Sequence, residues 1–329
     1  MKIIRTSAVL LAAIALLLAT FGAARPTRAA TTIKVLASIT IIQDIAQNVA
    51  GDKPGIGSIV PTDGDAHNFD PSPDDIKNVA DAALILVNGA RLEGFLQKLI
   101  DASGTKARVV EVSTGVKIKQ FAEPAADVKP VYLGVSGTYV CSAAKEGEEV
   151  GECDPHFWQD PANVIVFVEN IRAALAQIDP TNAATYQKNA ADYTEKLKTL
   201  NADIESGLKD IAPENRVLVT NHDALGYFAA RYNFRVAGVV LPGGSAGQIT
   251  DPDPQQVADL IDLLKRQKIK AIFVENIASD KLATQIADEA GVKVVTGLYT
   301  DALGTKGTLG ETYLGMMRAN LKALQDALK

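Results

Sequence analysis

One stretch limits the architecture of this chain more than any other. From Thr181 to Lys209 there is no proline, and Gly207 is the only glycine. Tyr186, Ala190, Tyr193, Leu197, Leu200, Ile204 and Leu208 recur at spacings of three and four, which places them on one face of a helix. Asp179-Pro180 just ahead supplies an N-cap with proline in the first turn. A helix of ~29 residues would be ~43 Å long, about the span of a domain. Such a helix either packs along one lobe or forms a stiff strut between two. Its length and central position favour the strut.

The sequence on both sides alternates short β-rich runs with helical stretches. Residues 33–38, 57–60, 83–87 and 108–112 read as strands in the first half, with a helix over 41–49 and a turn at Pro61-Thr62-Asp63-Gly64. In the second half 216–220, 271–274 and 292–295 read as strands, and a helix starts near Ala224. Alternation of this kind argues for a parallel α/β sheet in each half. The expected fold is α/β, with two Rossmann-like lobes of parallel strands joined by one long rigid helix. The expected division is 30–178 for the N-terminal lobe, 179–211 for the linking helix and 212–329 for the C-terminal lobe. Pro242-Gly243-Gly244-Ser245-Ala246-Gly247 is glycine-rich, but no lysine follows as in a phosphate-binding loop, so it reads as a plain loop.

Residues 1–29 stand apart. Lys2 and Arg5 precede an apolar run from Ala8 to Ala19, and Thr27-Arg28-Ala29 is a small-residue cleavage pattern. This reads as a secretory signal peptide cut at Ala29/Ala30. An uncleaved anchor ranks below it, because the run is short for a span of ~20 residues. No cysteine lies near the cut to carry a lipid, so the expected product is periplasmic and unanchored. Residues 1–29 carry four basic and no acidic side chains, so their removal takes the formal charge from −6 to −10. That charge disfavours nucleic acid and anionic lipid as partners. Cys141 and Cys153 are the only cysteines, and an exported even pair reads as a disulfide. A zinc pair formed by Cys153 and His156 in Cys153-Asp154-Pro155-His156 is the competing reading.

The chain has three histidines, His67, His156 and His222. Taken singly, each is more ordinarily a packed or hydrogen-bonded residue. Their contexts, however, agree. His67 lies in the loop "PTDGDAHNFDPSP", His156 in "DPHFWQDP", and His222 directly follows the strand "RVLVTN". Asp301, in "GLYTDALG", takes the matching place after a late strand. Ligand groups in open α/β sheets sit outside the carboxyl ends of strands. Two of the four precede the long helix and two follow it, so a site built from all four lies between the lobes. Three imidazoles and a carboxylate complete a coordination shell for a divalent transition metal, zinc above all. Asp65, Asp154, Asp223 and Glu275 are candidates for orienting the imidazoles. Pro155 and Pro161 stiffen the turns around His156, and Trp158 is expected to anchor that loop in the first lobe. Imidazoles bind metal when neutral, so affinity is expected to fall as pH drops through ~6.5.

The motifs "HNFDPSPDDI", "DPHFWQDPANV", "DPTNAATYQKNAADY", "TNHDALGYFAARY", "VENIASDK" and "LYTDALG" resemble those of the solute-binding proteins of zinc and manganese ABC importers, the ZnuA/TroA-like family. The resemblance covers essentially the whole chain after the signal. It implies two α/β lobes bridged by a long helix, with His67, His156, His222 and Asp301 as ligands to Zn(II), or to Mn(II). His222 tilts the choice to zinc, since manganese-binding members of the family include ones with a carboxylate there. The resemblance also implies a membrane permease and its cytoplasmic ATPase as partners, and no enzymatic activity. The chain is expected to act as a monomer. It departs from the family in lacking a histidine-rich loop, in carrying the acidic run Lys145–Glu152 instead, and in having "ITDPDPQQV" where a Glu-Pro-Ser pattern is usual. Two other readings stand beside this one: an exported zinc hydrolase using the same cluster, and a surface adhesin. The hydrolase would need a general base beside the metal, and none is adjacent in sequence.

Overall fold

The structure is a computed structural model that describes residues 33–53, 55–62, 64–117, 154–241 and 251–329. The signal segment, both cysteines, the acidic run 145–152 and the glycine-rich loop 242–247 lie outside these residues.

Two four-stranded parallel sheets form the framework. The first contains β1 (Lys34–Ala37), β2 (Gly55–Ser58), β3 (Leu84–Val87) and β4 (Arg108–Glu111), in the order β2-β1-β3-β4. The second contains β5 (Val217–Thr220), β6 (Arg235–Val239), β7 (Ala271–Glu275) and β8 (Lys293–Leu298), in the order β6-β5-β7-β8. The two orders are the same, displaced by four strands. In each sheet the winding reverses beside the first strand, which opens a crevice at the carboxyl ends. The central strands are covered on both faces and carry unbroken apolar runs, as parallel strands do. All of β3, Leu-Ile-Leu-Val, is buried. So is all of β7, Ala-Ile-Phe-Val-Glu, and its last residue, Glu275, is a buried carboxylate.

The helices start where their caps allow. In the first half α1 is Thr40–Ala50, α2 is Pro73–Ala80 and α3 is Leu96–Ser103. Helix α2 opens on a capping box between Ser72 and Asp75, with Pro73 at its first position. Helix α4 (Pro161–Ile178) is capped by Asp160, which accepts the Ala162 N–H. The second half holds α6 (Gly226–Tyr232), α7 (Pro254–Arg266), α8 (Lys281–Ala290) and α9 (Tyr313–Leu328). The unusual Asp-Pro-Asp-Pro-Gln-Gln run finds its reason at α7, where Asp253 and Gln256 form a capping box around Pro254.

The connecting helix, α5, runs from Ala183 to Gly207, flanked by 3₁₀ turns at Pro180–Asn182 and Leu208–Asp210. It is 25 residues, so ~37 Å rather than the ~43 Å expected. Two residues are lost at each end to the 3₁₀ turns, and the N-terminal loss lies at Asp179. Its carboxylate accepts the Tyr186 hydroxyl at 2.6 Å and Asn182 Nδ2 at 2.7 Å instead of capping an α-helix at Pro180. Tyr186, Ala190, Tyr193, Leu197, Leu200 and Ile204 are all buried, as their spacing requires. The first part of α5 holds α1, with Asn189 Nδ2 donating to the Val49 carbonyl. Its last part holds the second half of the chain: Gln325 Nε2 of α9 donates to the Gly207 carbonyl at 2.7 Å, and the Tyr232 hydroxyl of α6 bonds Asn201. One buried cluster continues from β1 and β3 through Phe157, Trp158, α4 and α5 into Tyr227, Phe273, Leu298 and Tyr313. The two lobes therefore share a core.

Candidate metal centre

The three histidines and Asp301 converge in one place. His67 follows β2, His156 enters the 3₁₀ turn Phe157–Gln159 ahead of α4, His222 follows β5, and Asp301 follows β8. Asp301 Oδ2 is 3.3 Å from His67 Nε2 and 3.1 Å from His222 Nε2, and Asp301 Oδ1 is 3.6 Å from His156 Nε2. His156 Nε2 is 3.2 Å from that of His67 and 3.4 Å from that of His222. Ligand atoms from the four residues all lie within 4.8 Å of one another. Four donors placed tetrahedrally around an ion at ~2.0–2.1 Å would be about 3.3–3.4 Å apart. The observed separations bracket that value. The four side chains are buried: His67 is 1 % exposed, His156 2 %, His222 6 % and Asp301 0 %.

Two of the rings are held by carboxylates. His156 Nδ1 is 2.7 Å from Asp154 Oδ1, the same oxygen that accepts the His156 backbone N–H at 2.9 Å. His222 Nδ1 is 2.6 Å from Glu275 Oε2, and Glu275 Oε1 accepts the His222 backbone N–H at 3.0 Å. A ring whose Nδ1–H is given to a carboxylate turns its Nε2 away from it, here toward the other converging residues. Asp154 thus holds the His156 ring by a hydrogen bond, and Glu275 meets the His222 ring as a close ion-pair contact. Asp65 does neither. It accepts the backbone N–H of His67 at 2.8 Å and Asn68 Nδ2 at 2.7 Å, and His67 Nδ1 has no hydrogen-bond partner among the described residues.

Electrostatics follow from the burial. Removal from water disfavours the charged form of His156, but the charges of Asp301 and Asp154 outweigh it and raise the ring to about 9. His222 is raised well above the usual imidazole range, because Glu275 and Asp301 overcome the same burial. Burial works against an ionised Asp301 too, yet His222 and His156 hold it well below the ordinary carboxylate value. The raised His156 and His222 and the lowered Asp301 thus offset one another inside the buried cluster.

The loop at His156 is fixed more firmly than its prolines alone imply. The Pro155 carbonyl accepts both Asn88 Nδ2 and the Phe157 N–H at 2.9 Å. Trp158, fully buried, was expected to anchor in the first lobe. Its indole lies edge-on to His156, and its Nε1–H crosses to the second lobe, donating to the Thr300 carbonyl at 2.7 Å. Gln159 Nε2 reaches the same carbonyl at 3.1 Å. Gly226, at the start of α6, leaves the space in which Asp154 sits, since a Cβ built there would overlap Asp154 Oδ2. Thr300 and Gly226 went unnoticed in the sequence. Neither belongs to a periodic pattern, and the only local signal for Thr300 is its place beside Asp301.

The chain matches the sequence profile of the family described as zinc-uptake complex component A, periplasmic (ZnuA), over residues 35–327. The iron-binding protein YfeA of Yersinia pestis is 35 % identical over 300 residues, covering 91 % of this chain and 87 % of the relative. The manganese ABC transporter substrate-binding lipoprotein PsaA of Streptococcus mitis is 29 % identical over 332 residues, covering 100 % of this chain and 99 % of the relative. The solved periplasmic zinc binding protein TroA of Treponema pallidum superposes with a TM-score of 0.75 at 25 % identity, over 90 % of this chain and 99 % of its own. Two parallel-sheet lobes, a helical connection and a buried His/Asp cluster between them thus accompany similarity along nearly the whole chain. The chain belongs to the ZnuA family, and it is an extracytoplasmic metal-binding receptor of an ABC importer, not an enzyme.

Proposed function

We propose that the cargo is Zn(II), one ion per chain, held by Nε2 of His67, His156 and His222 and by the carboxylate of Asp301. The donor set carries this reading, since three imidazole nitrogens and one carboxylate suit Zn(II) better than Mn(II), which prefers oxygen donors and higher coordination. The relatives named above for iron, manganese and zinc differ in cargo, so the chemistry of the donors decides. Mn(II) is the second cargo. Both oxygens of Asp301 face imidazole nitrogens, Oδ1 toward His156 and Oδ2 toward His67 and His222, and a carboxylate used through both oxygens adds a fifth donor.

The receptor delivers its ion to a membrane permease driven by a cytoplasmic ATPase, and acts as a monomer. The lobe division at 30–178, 179–211 and 212–329 agrees with β4 and α4 ending before the link and β5 beginning after it. The mature chain is read as free in the periplasm after cleavage at Ala29/Ala30. A relative such as PsaA is named a lipoprotein, but residues 1–140 here contain no cysteine to carry a lipid. Cys141 and Cys153 are read as a disulfide that tethers the segment before His156. Thiol labelling of unreduced, denatured protein would then find no free thiol. Competition titration with a chelator tests the cargo. Zn(II) is expected to bind more tightly than Mn(II), and His222→Glu to narrow the gap by weakening Zn(II) more. Equal affinities in the unaltered chain would refute the assignment.

A further inference from the structure

Thr300 stands at the junction of the two lobes and is not one of the four converging residues, yet three of those side chains are tied to it. Its side chain is fully buried. Its carbonyl receives two hydrogen bonds from the other lobe, from Trp158 Nε1 and Gln159 Nε2. Both donors lie on the short turn that begins at His156, and the Tyr313 hydroxyl holds that turn again by donating to the Trp158 carbonyl at 2.7 Å. Thr300 is followed by Asp301. Its hydroxyl donates to Glu275 Oε2 at 2.6 Å, and that oxygen also faces His222 Nδ1 at 2.6 Å.

We infer that Thr300 is a positioning residue for metal binding: its hydroxyl fixes the Glu275 carboxylate that aims His222, while its pinned carbonyl keeps that hydroxyl in register with the lobe carrying His156. The inference rests on the four-residue site proposed above. Glu275 Oε2 is buried in the second sheet, accepts Thr300 Oγ1–H on one side and lies 2.6 Å from His222 Nδ1 on the other. Without the hydroxyl, the carboxylate loses a donor that no water replaces cheaply in a closed site, and only its contacts with His222, the backbone N–H at Oε1 and Nδ1 beside Oε2, are left to set its rotation about the Cγ–Cδ bond. His222 then loses its fixed orientation, although every metal donor is still present. The backbone pin is independent of the side chain, because the carbonyl survives any substitution at 300. Position 300 therefore separates the two roles experimentally.

The test uses the full mature chain with Co(II) and Zn(II) as probes. Thr300→Val keeps the shape and the carbonyl but removes the hydroxyl, and Thr300→Ser restores it. Loss of a partner that orients a metal ligand typically costs 10–100-fold in affinity, and Thr300→Val is expected to fall in that range. Thr300→Ser should stay within about threefold of the unaltered chain, the hydroxyl–carboxylate bond being kept. The visible absorption bands of bound Co(II) should shift in the valine variant and return in the serine variant, since they report the arrangement of the donors. Glu275→Gln provides a second route should the valine variant not fold, and should reproduce the loss. A valine variant that binds Co(II) and Zn(II) like the unaltered chain overturns the inference. So does equal weakening by valine and serine with an unchanged Co(II) spectrum, or a Glu275→Gln variant of full affinity. If the unaltered chain binds neither ion, the site assignment itself fails and the inference falls with it.

Discussion

Asp65-Ala66-His67 and Asp154-Pro155-His156 are the same motif in two places, and the structure uses them differently. In both, the aspartate accepts the backbone N–H of the histidine two residues on, at 2.8 and 2.9 Å. At His156 the same oxygen also meets the imidazole, at 2.7 Å. At His67 the second carboxylate oxygen is taken by the Asn68 side chain, and the imidazole Nδ1 has no hydrogen-bond partner among the described residues. The residue after the histidine decides. Phe157 turns into the core, where its ring meets Phe167 and Tyr227, and carries its neighbours into a buried turn. Asn68 stays exposed and curls back on Asp65. One motif thus yields a buried imidazole tied to its own aspartate and a second buried imidazole whose aspartate bonds only the backbone and Asn68. The lesson is that a shared dipeptide spacing sets the backbone turn, while the packing around it sets the chemistry.

The largest expected effect concerns the rings themselves. A structural zinc site releases about 10–16 kcal/mol over four ligands, so each ring should contribute roughly 2.5–4 kcal/mol, or 10²–10³-fold in affinity. His156→Ala and His222→Ala should reach the upper part of that range and His67→Ala the lower part, as chelator competition would show. Equal losses at all three would erase the distinction between supported and unsupported rings.

The next effect isolates the carboxylates. Asp154→Asn should weaken Zn(II) by about 10–100-fold, whereas Asp65→Asn, which touches only backbone and Asn68, should cost less than about threefold. Equal losses at the two positions would mean that the motif, and not its surroundings, governs support of the ring.

A smaller effect appears in protons. The sequence alone placed the fall of affinity at the ordinary imidazole value, but the neighbouring carboxylates raise His156 to about 9 and raise His222 as well. A ring whose value is raised above the working pH carries a proton there in the metal-free protein, and the metal must displace it. Affinity should therefore keep rising as pH goes from 7 to about 9, and binding at pH 7.5 should release close to two protons. Calorimetry in buffers of different ionisation enthalpy counts them. Release of none would show that both rings are already neutral.

The legibility of the sequence follows the range of each interaction. The buried face of α5 was readable because its period is local, and every described strand but β6 because parallel sheets demand apolar runs; in β6, Arg-Val-Ala-Gly-Val, the arginine and glycine break the run. Helix α4 was not read from the sequence, although Asp160 and Pro161 announce its start; its first turns, Asn-Val-Ile-Val-Phe-Val, are rich in β-branched residues, which favour strands. The four converging residues were readable from the scarcity of histidine and from their places after strands. Asp154 and Glu275 could be nominated but not told apart from Asp65. Thr300 and Gly226 were invisible, since Thr300 meets Trp158 across 142 positions and Gly226 matters only through the space it leaves for Asp154.

The central claim is that these four side chains, and no cysteine, form one cargo site between the lobes. X-ray absorption at the zinc edge of the protein loaded with one equivalent of Zn(II) tests it most directly. The account predicts a four-coordinate ion with only nitrogen and oxygen neighbours at about 2.0–2.1 Å and the outer-sphere pattern of three imidazoles. A sulfur neighbour at about 2.3 Å, or scattering from fewer than three imidazoles, would contradict it.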